Sequence, residues 1–446
     1  MRKLLLFLIL AITNQVFGQN VLSLYNMKHI PQSVYANPAF IPLGRVNVSI
    51  PGLGSTYAQV GKSDFITKNV ATVDDNGTLR LDVDKFLNGL ENENLVYGGT
   101  SINTLHVGFS VNKNYFHLGS HDRVSGEFIF PKEMAALITE VYQENGIENG
   151  HEIQNTRVQY THVREFSFGW ARSINKDFSV GATIKVFSGL MNVRTNSSSI
   201  IINNPTPGND LSGLIDIHMQ TAGAEYYKTA TENGEYIKVT SNNANLGYAL
   251  DVGFDYKINS KIKVSASALD LMGTILWKND VKNYVAEDVE VDFNTVDWVD
   301  LISPGGGSGL NGIYDSIIAN VDPTQEKIEY ETYTPTKVNG SFTYYLTPKI
   351  EATVLGQGVF FKDEFDPRIR IGIQGRFKRF FNYMLSYSII DSQMDYKNLG
   401  VGFALNFGPL QLHALTDNVF DPLLYESSFN PTLRVGLNLT MNRDNQ

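Results

Sequence analysis

Bulky apolar side chains alternate with small or polar ones along much of the chain. The alternation is unbroken between residues 246 and 258, where the bulky positions are Leu246, Tyr248, Leu250, Val252, Phe254, Tyr256 and Ile258. Side chains on a β-strand point to opposite faces in turn, so one face of this segment is apolar and the other polar or small. A strand with lipid outside and water inside has this pattern. The alternation therefore predicts a membrane β-barrel.

The pattern predicts an all-β fold, an antiparallel transmembrane barrel of about fourteen strands. The predicted strands are 44–52, 104–112, 115–128, 163–174, 177–188, 246–258, 261–271, 336–346, 349–360, 367–377, 380–390, 397–407, 409–415 and 432–441. Each even-numbered strand is followed by a link of one or two residues. The remaining links include the long segments 53–103, 129–162, 189–245 and 272–335. Outer-membrane barrels have short periplasmic turns and long external loops, so we expect these four segments to be external.

One of the long segments contains a helical pattern. From Pro131 to Tyr142, apolar residues recur at helical spacing after a proline that suits a first turn. The pattern predicts a short amphipathic helix within 129–162.

The N-terminus predicts export. Arg2 and Lys3 precede an apolar run, and residues 1–18 read as a secretory signal peptide. The chain has no cysteine, which excludes thiol catalysis, disulfides and cysteine-ligated metals. Its formal net charge of −10 disfavours nucleic acid as a partner. We expect an outer-membrane location, in contact with outer-membrane lipid.

Residues 19–43 are poor strand material, because they contain Pro31, Pro38 and Pro42. Asparagine accepts unusual backbone angles and proline fixes the next φ, so the sequence Asn37-Pro38-Ala39 predicts a rigid bend. Two interpretations remain open. The segment is either a hatch folded into the lumen or an ordered lead-in to a barrel that spans residues 44–446.

Three sequence landmarks carry a family resemblance: Asn37-Pro38-Ala39, the stretch Ala268–Trp277, and Thr416-Asp417-Asn418. Together they resemble an uncharacterised outer-membrane barrel family of Gram-negative bacteria of the Bacteroidota type. The chain is also distantly similar to FadL-type fatty-acid transporters, and to PorV-like and PorP/SprF-like barrels of type IX secretion. The FadL resemblance implies fourteen strands, an N-terminal hatch with Asn-Pro-Ala, and transport of a hydrophobic molecule.

Charged residues lie on the predicted inward faces, and the main ones are Asp251, Asp255, Arg368, Arg370 and Arg376. The three arginines could form a cluster that holds an anionic head group. Alternatively, these charges pair with one another or with hatch residues and keep the interior hydrated.

The segment 272–335 has twelve acidic residues against three lysines. Its acidic group Glu287, Asp288, Glu290 and Asp292 could bind a cation, attract a basic partner, or simply solvate an exposed loop. We predict no cofactor and no dedicated metal site.

No catalytic residues stand out, and we expect the protein not to be an enzyme. His106, His117 and His121 could lie close together, but wall histidines are usually neutral hydrogen-bonding groups. Two functional hypotheses follow. The barrel binds or passes a hydrophobic or amphipathic small molecule, or it is a structural docking barrel of a secretion, gliding or surface assembly.

Overall fold

A computed structural model describes most of the chain. The described residues are 22–62, 71–73, 79–144, 147, 149–203, 212–225, 245–292, 328–360, 365–378, 380–390, 398–420 and 430–443. The predicted signal peptide 1–18 and most of the acidic segment, 293–327, lie outside them.

The described strands are all antiparallel and are numbered here in chain order. They are β1 Gly44–Ser49, β2 Thr56–Lys62, β3 Ala71–Val73, β4 Leu79–Leu81, β5 Glu93–Val111, β6 Asn114–Pro131, β7 His151–Gln154, β8 Arg157–Ser173, β9 Phe178–Asn203, β10 Ser212–Ala222, β11 Leu246–Lys257, β12 Ile262–Trp277, β13 Val281–Asp292, β14 Tyr330–Tyr333, β15 Thr336–Thr347, β16 Ile350–Phe360, β17 Phe365–Phe377, β18 Phe381–Ile390, β19 Leu399–Phe407, β20 Leu410–Thr416 and β21 Thr432–Arg443.

Helices are few. They are α1 Leu22–Asn26, a 3₁₀ helix at Pro31–Tyr35, α2 Val83–Asn88 and α3 Lys132–Glu144. No helix in the described part of the chain is long and apolar enough to span a membrane. The predicted helix in 129–162 is confirmed as α3.

Within the described residues, the sheet closes into a barrel of fourteen crossings, which confirms the predicted fold class and strand number. Closure joins the first and last strands: β21 pairs with β1 from Gly44↔Arg443 to Ser49↔Asn438, and with β2 further along. β1 and β2 form one crossing, because both also pair with β5. The interruption falls at Pro51-Gly52, where Gly52 has a φ of 74° that favours glycine.

The outer wall carries the apolar half of the alternation. On β17, the side chains of Ile369, Ile371 and Ile373 are 48%, 54% and 45% exposed, whereas that of Arg370 between them is fully buried. Strand β11 follows the same rule, with Tyr248 exposed and Asp251 buried. An apolar belt of this extent is stable only against lipid, because in water it would bind other apolar surfaces.

The two ends of the barrel differ as the sequence predicts. Six links, after β5, β8, β11, β15, β17 and β19, contain only two to four residues. Asn112, Lys378 and Gly408 in these links have positive φ angles of 55°, 54° and 61°, as tight turns require. We refer to this end as the short-turn end. All the long connections lie at the opposite end.

Segments predicted as long loops contain more regular structure than expected. β9 runs to Asn203, and β10 and β13 extend the same sheet beyond the barrel, so 189–245 and 272–335 are partly strand. Helix α3 packs on this extension, with Leu137 and Val141 in contact with Ile202 and Ile215. The alternation rule missed these strands because it detects contact with lipid, and polar runs such as residues 195–199 have none.

A lipid-facing charge tests the orientation of the wall. Ile371→Lys at the middle of β17 should lower the free energy of unfolding by about 2–4 kcal/mol, since it buries an ammonium group in hydrocarbon. Phe377→Lys near the short-turn end is the control and should cost only ~0–1 kcal/mol. Urea titration in liposomes measures both. Equal costs at the two positions would contradict the proposed depth of the belt.

Candidate functional site

The N-terminal segment from Leu22 to Phe40 lies inside the barrel and is almost wholly buried. It hydrogen-bonds strands on different sides of the wall. Gln32 donates to Ser49 of β1 at 2.7 Å and to Asn438 of β21 at 2.8 Å, while Asn26 donates to Gln374 of β17 at 2.9 Å. All these partners lie in the half of the barrel nearer the short-turn end. The segment therefore crosses the lumen there.

Asn37 anchors the bend of this segment. Its side-chain oxygen accepts a hydrogen bond from the backbone N–H of Ala39 at 2.9 Å, which closes an Asx turn across Pro38. Its side-chain nitrogen lies 3.1 Å from the carbonyl oxygens of both Phe254 and Ala266, on adjacent strands β11 and β12. One side chain therefore shapes the bend and fixes it to the wall.

The wall leaves space for this bend at a pair of glycines. Gly181 of β9 and Gly253 of β11 are directly paired residues on neighbouring strands. A Cβ on Gly181 would lie 2.2 Å from the carbonyl oxygen of Pro38, and a Cβ on Gly253 would lie 2.2 Å from Oδ1 of Asn37. Both distances are far inside van der Waals contact, so the bend fits only because these side chains are absent. We call this pair the glycine notch.

An apolar cluster holds the remainder of the segment. Its members from the segment include Leu22, Leu24, Met27, Ile30 and Phe40. They pack against inward-facing apolar side chains of the wall, which are Leu269, Leu355, Met384, Ala404 and Leu415. The described wall thus contains an apolar patch on its inner face, and the segment covers it.

Tyr35 contacts the three histidines that the sequence singled out. Its hydroxyl is 2.7 Å from Nδ1 of His106, and its ring lies edge-on to His117 and His121 at centroid distances of 5.5 and 4.4 Å. The histidines do come together, and they surround a tyrosine of the N-terminal segment. The described residues include no group of metal-ligating side chains arranged to hold an ion.

A network of buried charges lies beside Tyr35, toward the long-loop end. Lys185 is 2.8 Å from Asp251 and 2.7 Å from Asp270, and Arg123 is 2.7 Å from Glu165. Lys337 lies 3.9 Å from Asp270. Three cations thus face three carboxylates. Buried charges are tolerated when paired and hydrogen-bonded in this way, so the network is internally compensated.

A distortion of β12 brings Asp270 into that network. Asp270 and Met272 have positive φ angles of 55° and 53°, and the register with β11 shifts twice nearby. The shifts are β-bulges, which break the alternation of side chains. Consequently Leu269 and Asp270 are both buried, while Met272 is 74% exposed. The Asp270 N–H also donates to Asp251 at 2.7 Å.

The five predicted lumen charges have different surroundings. Asp251 pairs with Lys185, and Asp255 pairs with Lys28 of the N-terminal segment at 2.9 Å. Arg368 pairs with Asp366, and Arg370 pairs with Asp417 and donates to Ser388 at 3.0 Å. Arg376 lines a cavity at the short-turn end.

Of the two alternatives for these charges, the cluster of three arginines is not what the structure contains. Arg368 and Arg370 are bound by different aspartates, and Arg376 is six residues further along β17 than Arg370, roughly 20 Å away. Alternation predicts the face on which a side chain lies, but not its partner. Asp417 is 47 positions from Arg370, so no local pattern links the two.

The acidic group near residue 290 lies on a strand, not in a loop. Glu287, Asp288 and Glu290 are exposed on β13, and Asp292 ends that strand. Asp288 has a φ of 50° and its N–H donates to Asp216 at 2.6 Å, at a bulge between β10 and β13. The carboxylates here belong to a twisted external sheet, and among the described residues they form no ion-binding group.

Cavities of different size lie along the lumen on the two sides of the segment. Two on the long-loop side of the segment are small, about 40 and 20 Å³. The third, at the short-turn end, measures about 720 Å³ and has Asn26, Met27, Lys28 and His29 in its lining. Burial lowers the pKa of His29 to about 4, so this imidazole is neutral at neutral pH. The lumen is thus narrow on the long-loop side of the segment and wide between the segment and the short-turn end.

Comparison with known proteins identifies the family. The model of a family of unknown function, DUF5723, matches residues 38–417. The chain belongs to this family. The match begins within the Asn37-Pro38-Ala39 bend and ends at Asp417, so it includes the wall residues that contact the bend. No curated protein matches this DUF5723 barrel.

Several solved structures are similar in outline. A FadL homologue of Pseudomonas aeruginosa has a TM-score of 0.47 and 9% identity, covering 96% of this chain and 98% of that one. The toluene transporter TodX of Pseudomonas putida has a TM-score of 0.39 and 10% identity, with coverages of 95% and 98%. The translocator domain of the autotransporter NalP of Neisseria meningitidis has a TM-score of 0.33 and 7% identity, with coverages of 95% and 99%. Likenesses this distant say nothing about the function of the DUF5723 barrel.

Sequence reasoning missed the glycine notch, Tyr35, Lys185 and Arg123. The notch leaves a weak signal, since a glycine stands on the predicted inward face of β11 between Asp251 and Asp255. Only the register of β9 against β11 reveals that Gly181 lies opposite. Lys185 and Arg123 belong to strands that were predicted, but their pairing with Asp270 depends on a bulge that alternation does not reveal.

A methyl group in the notch should loosen the bend. Gly253→Ala should speed amide hydrogen exchange across Leu22–Phe40 by roughly ten- to a hundredfold, because it displaces Asn37 and loses bonds worth ~1–3 kcal/mol. Gly340→Ala is the matched control, since a Cβ there meets nothing within 4 Å. Mass-spectrometric exchange in detergent compares the two. Equal exchange in both variants would rule out a fitted notch.

The Arg370–Asp417 pair should be costly to break from either side. Arg370→Met or Asp417→Leu alone should lower the free energy of unfolding by about 3–5 kcal/mol, because each leaves an unpaired buried charge. The double variant should cost much less than the sum of the two. Urea unfolding of all four proteins measures the coupling, and additive costs would mean that the pair is not formed.

Proposed function

We propose that this DUF5723 barrel binds or passes a hydrophobic or amphipathic small molecule at the outer membrane, with residues 22–42 acting as a hatch in its lumen. One observation carries the proposal. The wall closes from Gly44 onward, between β1 and β21, so the segment before it contributes no strand to the barrel. It can therefore move without breaking the sheet.

The contacts of the hatch suit a reversible closure. It is held by hydrogen bonds, by one ion pair between Lys28 and Asp255, and by apolar packing. The described residues form no covalent link across the lumen, and the chain has no cysteine. Each hydrogen bond contributes only ~0.5–1.5 kcal/mol net, because water or a ligand can replace the lost partner.

The apolar wall patch supports an apolar or amphipathic ligand. Leu269, Leu355 and Met384 face the lumen and are covered by the hatch. If the hatch withdraws, this patch is exposed to water unless another apolar group replaces Leu22, Leu24 and Met27. A hydrocarbon tail would restore the lost burial, at about 25 cal/mol per Å² of apolar area.

An outer-membrane location is part of the proposal. The apolar belt, the closed sheet and the short-turn end are the features of such barrels, whose short turns face the periplasm. On this orientation, the cavity beneath the hatch opens to the periplasm and the extension formed by β9, β10 and β13 is external.

Removing the hatch should open the barrel. Deletion of residues 19–43 should raise the conductance in planar bilayers well above that of the full chain, because the only described segment that crosses the lumen is gone. The wall should still form, as judged by heat-modifiable migration on gels. A folded deletion variant with unchanged conductance would show that the segment does not act as a hatch.

A disulfide lock provides the matched control. A Cβ on Gly253 lies 3.0 Å from Cγ of Asn37, so cysteines at these positions are within disulfide range. The variant Asn37→Cys, Gly253→Cys should conduct little when oxidised and more when reduced. Because the native chain has no cysteine, the redox response reports this one bond.

The external extension favours the alternative of a docking barrel. The end of β9, together with β10, β13, β7 and α3, builds a small apolar core around Val141, Ile202 and Ile215. A barrel that only conducts does not need this unit. Replacing residues 204–225 and 281–327 by short linkers, followed by pull-down from outer membranes, tests it. Loss of stoichiometric partners would favour docking, and retention would exclude this surface.

A further inference from the structure

The cavity at the short-turn end has the size of a small-molecule site. It occupies about 720 Å³ between the hatch residues Asn26–His29 and the ends of strands β11, β12, β15, β16, β17 and β18. Sites for small ligands usually occupy about 300–1,000 Å³. The hatch forms its inner end, so an occupant would contact the hatch directly.

Its lining is strongly basic. Six cationic side chains line the cavity, against the single carboxylate of Glu351; they are Lys28, Lys257, Lys261, Lys263, Lys349 and Arg376. The chain as a whole has a net charge of −10, so this excess is local. Like charges grouped in a recess with low-dielectric walls raise the local concentration of anions.

Protein carboxylates neutralise only part of this charge. Asp255 is 2.9 Å from Lys28 and 3.9 Å from Lys263, and Glu351 accepts a hydrogen bond from Gln374 at 2.9 Å. Counting both carboxylates, four positive charges remain in excess. Lys261, Lys349 and Arg376 form no ion pair with any other residue that the structure describes.

The cavity also has an apolar side. Met27, Leu346, Ile350, Tyr345 and Tyr383 are part of its lining. Met27 belongs as well to the apolar cluster that includes the covered wall patch. The cavity therefore has both basic and apolar side chains in its lining, which matches a molecule with an anionic head and an apolar tail.

We infer that this cavity binds the carboxylate or phosphate head of an anionic amphipathic small molecule. The inference names the class of ligand for the proposed function. It rests on that function only for the claim that the apolar tail of the ligand enters the lumen. A small molecule fits better than a protein surface, because the side chains of Lys28 and Lys263 are only 19% and 11% exposed. Only a group that enters the recess can reach them.

Calorimetry on the full-length barrel in phosphatidylcholine nanodiscs tests the site. The probes are hexanoate, hexyl phosphate and, as the neutral comparison, hexyl glucoside. The two anions should bind more tightly than the glucoside, and their affinity should fall as salt rises. Competition with inorganic phosphate distinguishes a free anion from an anion that carries an apolar tail. Displacement of hexyl phosphate indicates that the head group alone suffices for binding. No displacement indicates that the tail is also required. Both results support an anion site.

Paired variants identify the binding residues. The variant Lys261→Gln, Lys349→Gln, Arg376→Gln should weaken both anions by roughly tenfold or more and leave the glucoside unchanged. The control Lys113→Gln, Lys176→Gln, Arg172→Gln removes equal charge at the same end but outside the lining, and should bind like the native chain. Equal affinity for charged and neutral probes, or equal weakening by both variants, would overturn the inference. If anion binding survives while hatch deletion leaves conductance unchanged, the transport proposal fails and the site stands.

Discussion

The pairing of every wall strand with two neighbours is the constraint on which the rest of this structure depends. In hydrocarbon an unpaired N–H or C=O costs several kcal/mol, so a sheet that spans lipid must close on itself. Here closure is made by β21 against β1 and β2. The constraint fixes the inward and outward faces of all fourteen crossings, and it leaves residues before Gly44 outside the wall. Those residues then fill part of the enclosed space.

The same constraint explains what the sequence could predict. Ile369, Ile371 and Ile373 contact lipid, so their alternation with Arg370 is visible without a structure, and strand number and turn positions follow from it. Strands that extend beyond the lipid need not alternate, and β9 continues through the polar residues 195–199. The sequence also did not reveal which charged side chains pair inside the barrel. The side on which Arg370 lies was predictable, but its pairing with Asp417 was not, because it depends on how distant strands meet.

The three sequence landmarks correspond to three places where the chain departs from a regular barrel. Asn37-Pro38-Ala39 forms the bend that occupies the glycine notch. The stretch Ala268–Trp277 contains the bulges that turn Asp270 toward Lys185 and Arg123. Thr416-Asp417-Asn418 supplies the partner of Arg370. Alternation specifies a barrel of any kind, whereas these departures specify the interior of this one. A buried charge network, the N-terminal segment and a basic cavity then follow one another from the long-loop end to the short-turn end.

The central claim is that the N-terminal segment lies within the lumen of the membrane-embedded protein. Thiol labelling of single cysteines in outer membranes tests it most directly, since the native chain has none. Ala36 is fully buried beside the wall, whereas Ser260 is exposed at the short-turn end. With a membrane-impermeant maleimide applied to permeabilised cells, Ser260→Cys should label at once and Ala36→Cys should be strongly protected. Equal labelling rates at the two positions would contradict the account.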